Sequence, residues 1–317
     1  MWLPIAIFAY LINAGVYTAD KYFLSKKVHS SVAYAFYVGI WSIGNVMLFL
    51  FVPFFVPSLS WLILDLLAGL LFLWALVAWY KALHQSEATK VVPIVGAFIP
   101  VYSFILSYIF LGESLSQKEL IALLILIIGG VLISIKQKQE SRMKKIIKNI
   151  MALLGSKKAE VHPVSRLITN SLIAAFAFAS YYVLIKYIYM NQPFLESYIW
   201  TRLGSFFGAL LLIITPHNRE IILAKKKRGS AIKSWPLFLS IRFLAVIAFI
   251  FLNYAISLGN VALINAVQGV QYVFLLFIIL VLSEKYPKIL KEEMGRTVLI
   301  QKFMGVLLVG VGLYLLI

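Results

Sequence analysis

An all-α, polytopic membrane protein, with ten transmembrane helices arranged as two inverted five-helix repeats, is the fold this sequence predicts. The reasons are an excess of apolar residues, a regular recurrence of apolar runs, and a pattern in the first half that returns in the second. Of 317 residues, 62% are hydrophobic and 13% charged, with a mean hydropathy of +0.94. That is too little polar surface to cover a water-soluble globule. Runs of roughly 20 apolar residues can cross a hydrocarbon core of ~30 Å, and helices are expected because they satisfy their backbone hydrogen bonds internally. Residues 88–113 (ATKVVPIVGAFIPVYSFILSYIFLGE) lie over 259–284 (GNVALINAVQGVQYVFLLFIILVLSE) without a gap, a match of pattern more than of identity.

The ten spans fall near 2–23, 32–54, 58–81, 90–111, 118–136, 164–188, 196–215, 235–257, 260–282 and 299–317. The first has no basic region before Trp2-Leu3-Pro4 and no small-residue cleavage site, so it reads as a retained span and not a signal peptide. Lys21-Tyr22 and Lys186-Tyr187 stand at the ends of spans one and six, and Pro53 and Pro216 end spans two and seven. This register sets Gly39 against Arg202. Spans four and nine end at Glu113 and Glu284; spans five and ten carry Gly129-Gly130 and Gly310-Val311-Gly312, expected to let helices approach closely. Five spans per half is an odd number, so the second repeat crosses in the opposite sense. The domain boundaries expected are 1–137, a basic linker at 138–162, and 163–317.

Charge gives an orientation. Of the 29 Lys and Arg, all but Lys118, Lys186 and Arg202 lie in the links after odd-numbered spans or at the adjoining helix ends. The positive-inside rule makes those links cytoplasmic and puts both termini outside, in a multi-pass protein of the cell membrane. The net charge of +17 is therefore read as attraction to anionic membrane lipids and not to nucleic acid. In the central linker, Ile146, Ile147, Ile150, Leu153 and Leu154 alternate at helical spacing with lysines, which suggests either an amphipathic surface helix or a solvated basic linker. The lack of cysteine excludes disulfides and thiolate metal sites, and the four histidines form no ligand spacing, so no metal or cofactor is expected.

Several motifs together carry a family likeness: Trp79-Tyr80-Lys81-Ala82-Leu83 closing span three, Pro100 and Gly112-Glu113 in and after span four, and Gly129-Gly130. Asn253-Tyr254-Ala255-Ile256, Gly259, Ser283-Glu284 and Gly305/Gly310/Gly312 answer them in the second half. In these the chain resembles the ten-helix branch of the drug/metabolite transporter superfamily, with two EamA-type domains. Arg202 looks like the arginine often seen in the second helix of a repeat. The resemblance implies a transporter with a central cavity. The copies differ: Gln271 stands where the first half has Pro100, and Ser283 where it has Gly112.

Polar residues within a bilayer are costly unless they line a cavity or find partners, which makes them the candidates for a site. On span nine Asn265, Gln268 and Tyr272 recur at helical spacing with Gln271 beside them; Tyr10, Asn13 and Tyr17 do so on span one. Each stripe can bind a polar solute or bond helix to helix. Asp20 is the candidate acid for proton coupling, with Asp65 and Glu196 as others, and sodium coupling stays open. Arg202 and Lys186 can receive a carboxylate or phosphate, or Arg202 can pair with Glu196. Glu113 and Glu284 read as organisers of the helix start that follows each. No phosphate-binding glycine loop, HExxH or nucleophile–base arrangement is present, so no catalytic residue is assigned and the chain is not read as an enzyme. The function expected is secondary transport of a small organic metabolite by alternating access. The alternatives are a lipid or lipid-linked sugar translocase and, of another class, a membrane scaffold or sensor.

Overall fold

The computed structural model describes residues 1–26, 30–85, 88–135, 161–223, 235–285 and 296–317. Among them there is no strand. Twelve α-helices follow in order: α1 (Trp2–Lys26), α2 (Ser31–Trp41), α3 (Leu59–Gln85), α4 (Ala88–Leu111), α5 (Gln117–Ser134), α6 (Val161–Asn191), α7 (Phe194–Ile214), α8 (Pro216–Leu223), α9 (Trp235–Leu258), α10 (Val261–Ala266), α11 (Gly269–Lys285) and α12 (Arg296–Leu316). They supply ten spans long and apolar enough to cross a membrane, each overlapping one expected from the sequence. The central linker, read as an amphipathic surface helix or a solvated basic segment, and the basic cluster Lys225-Lys226-Lys227-Arg228, lie outside the described residues.

Local chemistry sets several ends. Ser116 caps α5: its Oγ accepts from the Glu119 N–H while the Glu119 carboxylate accepts from the Ser116 N–H, a reciprocal capping box. Gly112, with φ +67°, ends α4 in the left-handed region, and the Glu113 N–H turns back to Ser107 O. Gln301 on α12 donates from Nε2 to Leu132 O and Ile135 O, taking carbonyls left over at the end of α5.

Span two does not continue as an α-helix. After Trp41 it runs as a 3₁₀ segment, Ser42–Leu50. Side chains take part in the switch: Ser42 Oγ donates to Val38 O, the acceptor the α pattern would give to the Ser42 N–H, which bonds Gly39 O instead. Asn45 Nδ2 then donates to Ser42 O.

Packing runs mainly between the halves. The helix α5 lies along α12, α3 between α6 and α7, α4 against α6 and α10, and α1 against α9 and α11. Glycines permit the closest approaches. A Cβ on Gly129 would stand 2.9 Å from Val309 N, one on Gly312 would stand 2.6 Å from Leu126 Cγ, and Gly130 faces Gly269. Gly310 meets nothing within 4 Å, so the expectation of close packing fails at that glycine: it faces away from α5. The tightest seam is one the sequence did not point to. A Cβ on Gly69 of α3 would fall on Thr201 O, and one on Gly204 of α7 on Leu66 O, so these helices touch backbone to backbone.

Candidate functional site

A cavity of about 730 Å³ lies within the bundle, walled by spans one to four and six to nine. Seven of the eight residues singled out as solute contacts face it: Tyr10, Asn13, Tyr17, Arg202, Gln268, Gln271 and Tyr272. Asn265 does not. It is 1% exposed and donates from Nδ2 to Ser103 Oγ at 2.8 Å, a bond between α10 and α4 across the two halves. Asp20 belongs to α1, but its side chain is outside the described residues.

The stripe on span nine divides because the span is broken. After Ala266 the helix stops, and a tight turn through Val267 and Gln268 leads into α11. There the Gln268 N–H bonds Asn265 O, three residues back, which releases Ile264 O; the hydroxyl of Tyr10 donates to that carbonyl at 3.0 Å. A broken helix needs such a partner, since a carbonyl left bare in the membrane interior is costly. The break turns Asn265 toward α4 and leaves Gln268, Gln271 and Tyr272 on the cavity wall. Tyr272 reaches its place over Gly96 of α4, where a Cβ would collide with the phenol oxygen.

Arg202, two turns into α7, is 3% exposed. Its guanidinium carbon lies 4.4 Å from the ring centre of Phe72 and 4.5 Å from that of Phe249, with the rings of Tyr181 and Tyr198 each at 5.6 Å. Nη2 donates to the Tyr181 hydroxyl at 2.7 Å, and Nε has no partner among the described residues. Tyr181 and Tyr189 both donate to Asn253 Oδ1, so Asn253 anchors this network. No ion pair between Glu196 and Arg202 is present among the described residues.

Lys186 stands elsewhere. Its ammonium donates to Ser257 O and Gly259 O, at the C-terminal end of α9, and lies 4.0 Å from the Glu113 carboxylate. Glu113 accepts from Asn260 Nδ2 at 2.8 Å and is 3.5 Å from Val261 N. It organises a helix start as expected, but that of α10 in the other half and not of α5, which Ser116 caps. Glu284 lies where side chains are not described. Asp65 is fully buried in α3; Oδ1 accepts from Gln192 Nε2 at 3.3 Å and Oδ2 has no partner among the described residues.

Sequence reasoning passed over the 3₁₀ segment, although Ser42, Gly44 and Asn45 all line the cavity and Asn45 accepts from the Tyr198 hydroxyl. The signal was there: Ser42, Gly44 and Asn45 interrupt an otherwise apolar run. The aromatic wall, Trp41, Phe72, Trp79, Tyr182 and Phe249, was not legible in the same way, since aromatic residues fill most of these spans.

Comparison with known proteins bears on the whole arrangement. Residues 1–135 match the model of the EamA-like transporter family. No curated protein matches the chain. A solved crystal structure, described only as that of a protein, superposes with a TM-score of 0.66 at 13% identity, covering 98% of this chain and 97% of the other, which speaks to fold alone. Over residues 1–135 the chain is thus similar to the EamA-like transporter family, and its ten helices long and apolar enough to cross a membrane are consistent with the drug/metabolite transporter superfamily.

Proposed function

We propose that this protein is a secondary transporter that moves a small organic metabolite by alternating access, the solute held at the midplane between two inverted five-helix repeats. The observation that carries the reading is the cavity itself. Amide and phenol groups from spans one and nine converge on it beside a break in span nine, and broken helices beside midplane cavities are how many secondary transporters hold solutes. The packing is in keeping with inversion: α3 against α6 is answered by α9 against α1, and α4 against α6 by α11 against α1. The repeats run over 1–137 and 163–317, the basic links face the cytoplasm and anionic lipids, and both termini lie outside.

Uptake into proteoliposomes, screened over amino acids, sugars, nucleobases and organic acids, tests this. At least one solute is expected to accumulate, with kcat/KM lowered tenfold or more by Gln268→Ala or Tyr272→Ala. Indifference to both variants would remove the broken span from the site.

One observation favours a second reading, translocation of a lipid or lipid-linked sugar. Beside the cavity, Met47, Phe51 and Phe243 are 67%, 81% and 68% exposed and belong to spans two and eight, so the mouth is apolar and opens sideways. Movement of a fluorescent phospholipid between leaflets, measured by dithionite quenching, separates the two.

A further inference from the structure

We infer that the solute is an organic anion, its carboxylate or phosphate group drawn to Arg202 and its apolar or aromatic body to the ring-lined wall; this rests on the cavity being the solute site. Arg202 is a charge held out of water, and among the described residues nothing of opposite sign pairs with it. The group carries five N–H donors. Of these Nη2 meets the Tyr181 hydroxyl, while Nε is buried and has no partner among the described residues. The network behind it, Tyr181 to Asn253 and Tyr189, is neutral. Among the described residues no aspartate or glutamate lines the cavity, and the Lys186–Glu113 pair lies apart from it.

A guanidinium in such surroundings is costly unless paired. The faces of Phe72 and Phe249 offset part of that cost as cation–π contacts. The two ring centres are 4.9 Å apart, so they stand on one side of the group and do not enclose it, and N–H donors of a guanidinium bind carboxylate and phosphate bidentately. Arg242, which has contacts of its own, also lines the cavity. With no acid among the described lining residues, the Arg202 charge favours anions there over amines. The remaining wall suits an apolar body: Trp79, Phe178 and Tyr182 are rings, with Gln268 and Gln271 available for a polar substituent.

The test uses the full chain carrying Val246→Cys, a cavity-lining position in a sequence without cysteine. Protection of that cysteine from maleimide is read in proteoliposomes with 3-phenylpropionate, phenyl phosphate, the neutral 3-phenylpropionamide, the cationic phenethylamine, and dioctanoyl phosphatidate as a lipid bearing the same anionic group. The anions are expected to protect at concentrations at least tenfold below the amide and the amine, which is about 1.4 kcal/mol. Adding Arg202→Lys is expected to weaken the anions tenfold and leave the amide unchanged; Lys118→Gln, on the exposed start of α5, is expected to change neither. Protection by phosphatidate and not by the soluble acids would keep the anion and assign it to lipid. Amide or amine protecting as well as the acids would overturn the anion while the cavity stands as the solute site. Protection by none of the five would overturn that reading and this inference with it. The comparison of acid with amide needs no change at Arg202, so it holds even where Arg202→Lys does not fold.

Discussion

Glu113 sits just beyond α4, outside the span it follows, and joins three elements. Its carboxylate meets Asn260 Nδ2 and approaches Val261 N at the start of α10, and faces the Lys186 ammonium from α6. Burial pushes its carboxyl above the usual glutamate range; Lys186 and the Val261 N–H pull the other way without cancelling the rise. A carboxyl raised on folding contributes stability that is whole below the unfolded value, about 4.3, and lost as pH climbs through the folded one. The purified protein is therefore expected to lose unfolding temperature between pH 4 and pH 7 by more than Glu113→Gln does. Tryptophan-fluorescence melts in detergent check this, and parallel profiles would refute it. Residue type alone made Glu113 noticeable at a span end. That it serves the opposite half depends on the left-handed Gly112, which turns the chain where α4 stops.

Helices in this bundle meet at different depths, and glycine decides where. The α3–α7 seam leaves no room at Gly69 or Gly204, while Gly310 faces open space. Gly69→Ala is expected to force the seam apart and to destabilise the protein by about 1–3 kcal/mol, the usual cost of overpacking. Gly310→Ala should stay within about 0.5 kcal/mol of the parent. Thermal melts of the two variants measure the contrast, and similar losses at both sites would contradict it. The ten spans, and the polar stripe across span nine, were readable because apolar length and polar punctuation are properties of the chain itself. The 3₁₀ segment and the break after Ala266 were not. Hydropathy has the same profile for an α-helix and for a 3₁₀ turn, and the break is completed by Tyr10, 254 residues away along the chain. For the same reason Asn265 read as part of one wet face, when the turn directs it to Ser103.

Across the whole molecule, exchange of the two halves would pair α3–α7 with α9–α2. Setting Ala82-Leu83 on Ala255-Ile256, and Gly39 on Arg202, places Leu66 over Leu239 and Gly204 over Trp41. The first of these pairings is a seam of backbone against backbone; the residues of the second, Leu239 and Trp41, both line the cavity. With the repeats inverted as proposed, a contact is shut on one side while its counterpart lines the cavity on the other, the asymmetry that the proposed alternating access predicts for one of its two states. In the proposed orientation the open side is cytoplasmic. Cysteines at Trp41 and Leu239 should then react with a membrane-impermeant maleimide from the cytoplasmic side only. In the state that opens outward, the same pair should close up as Leu66 and Gly204 do here. Mild oxidation of the Trp41→Cys/Leu239→Cys variant is accordingly expected to form a disulfide, faster when transported solute is present, to stop uptake, and to be reversed by reductant. A pair that cross-links while uptake continues would mean that this mouth does not need to open for each cycle.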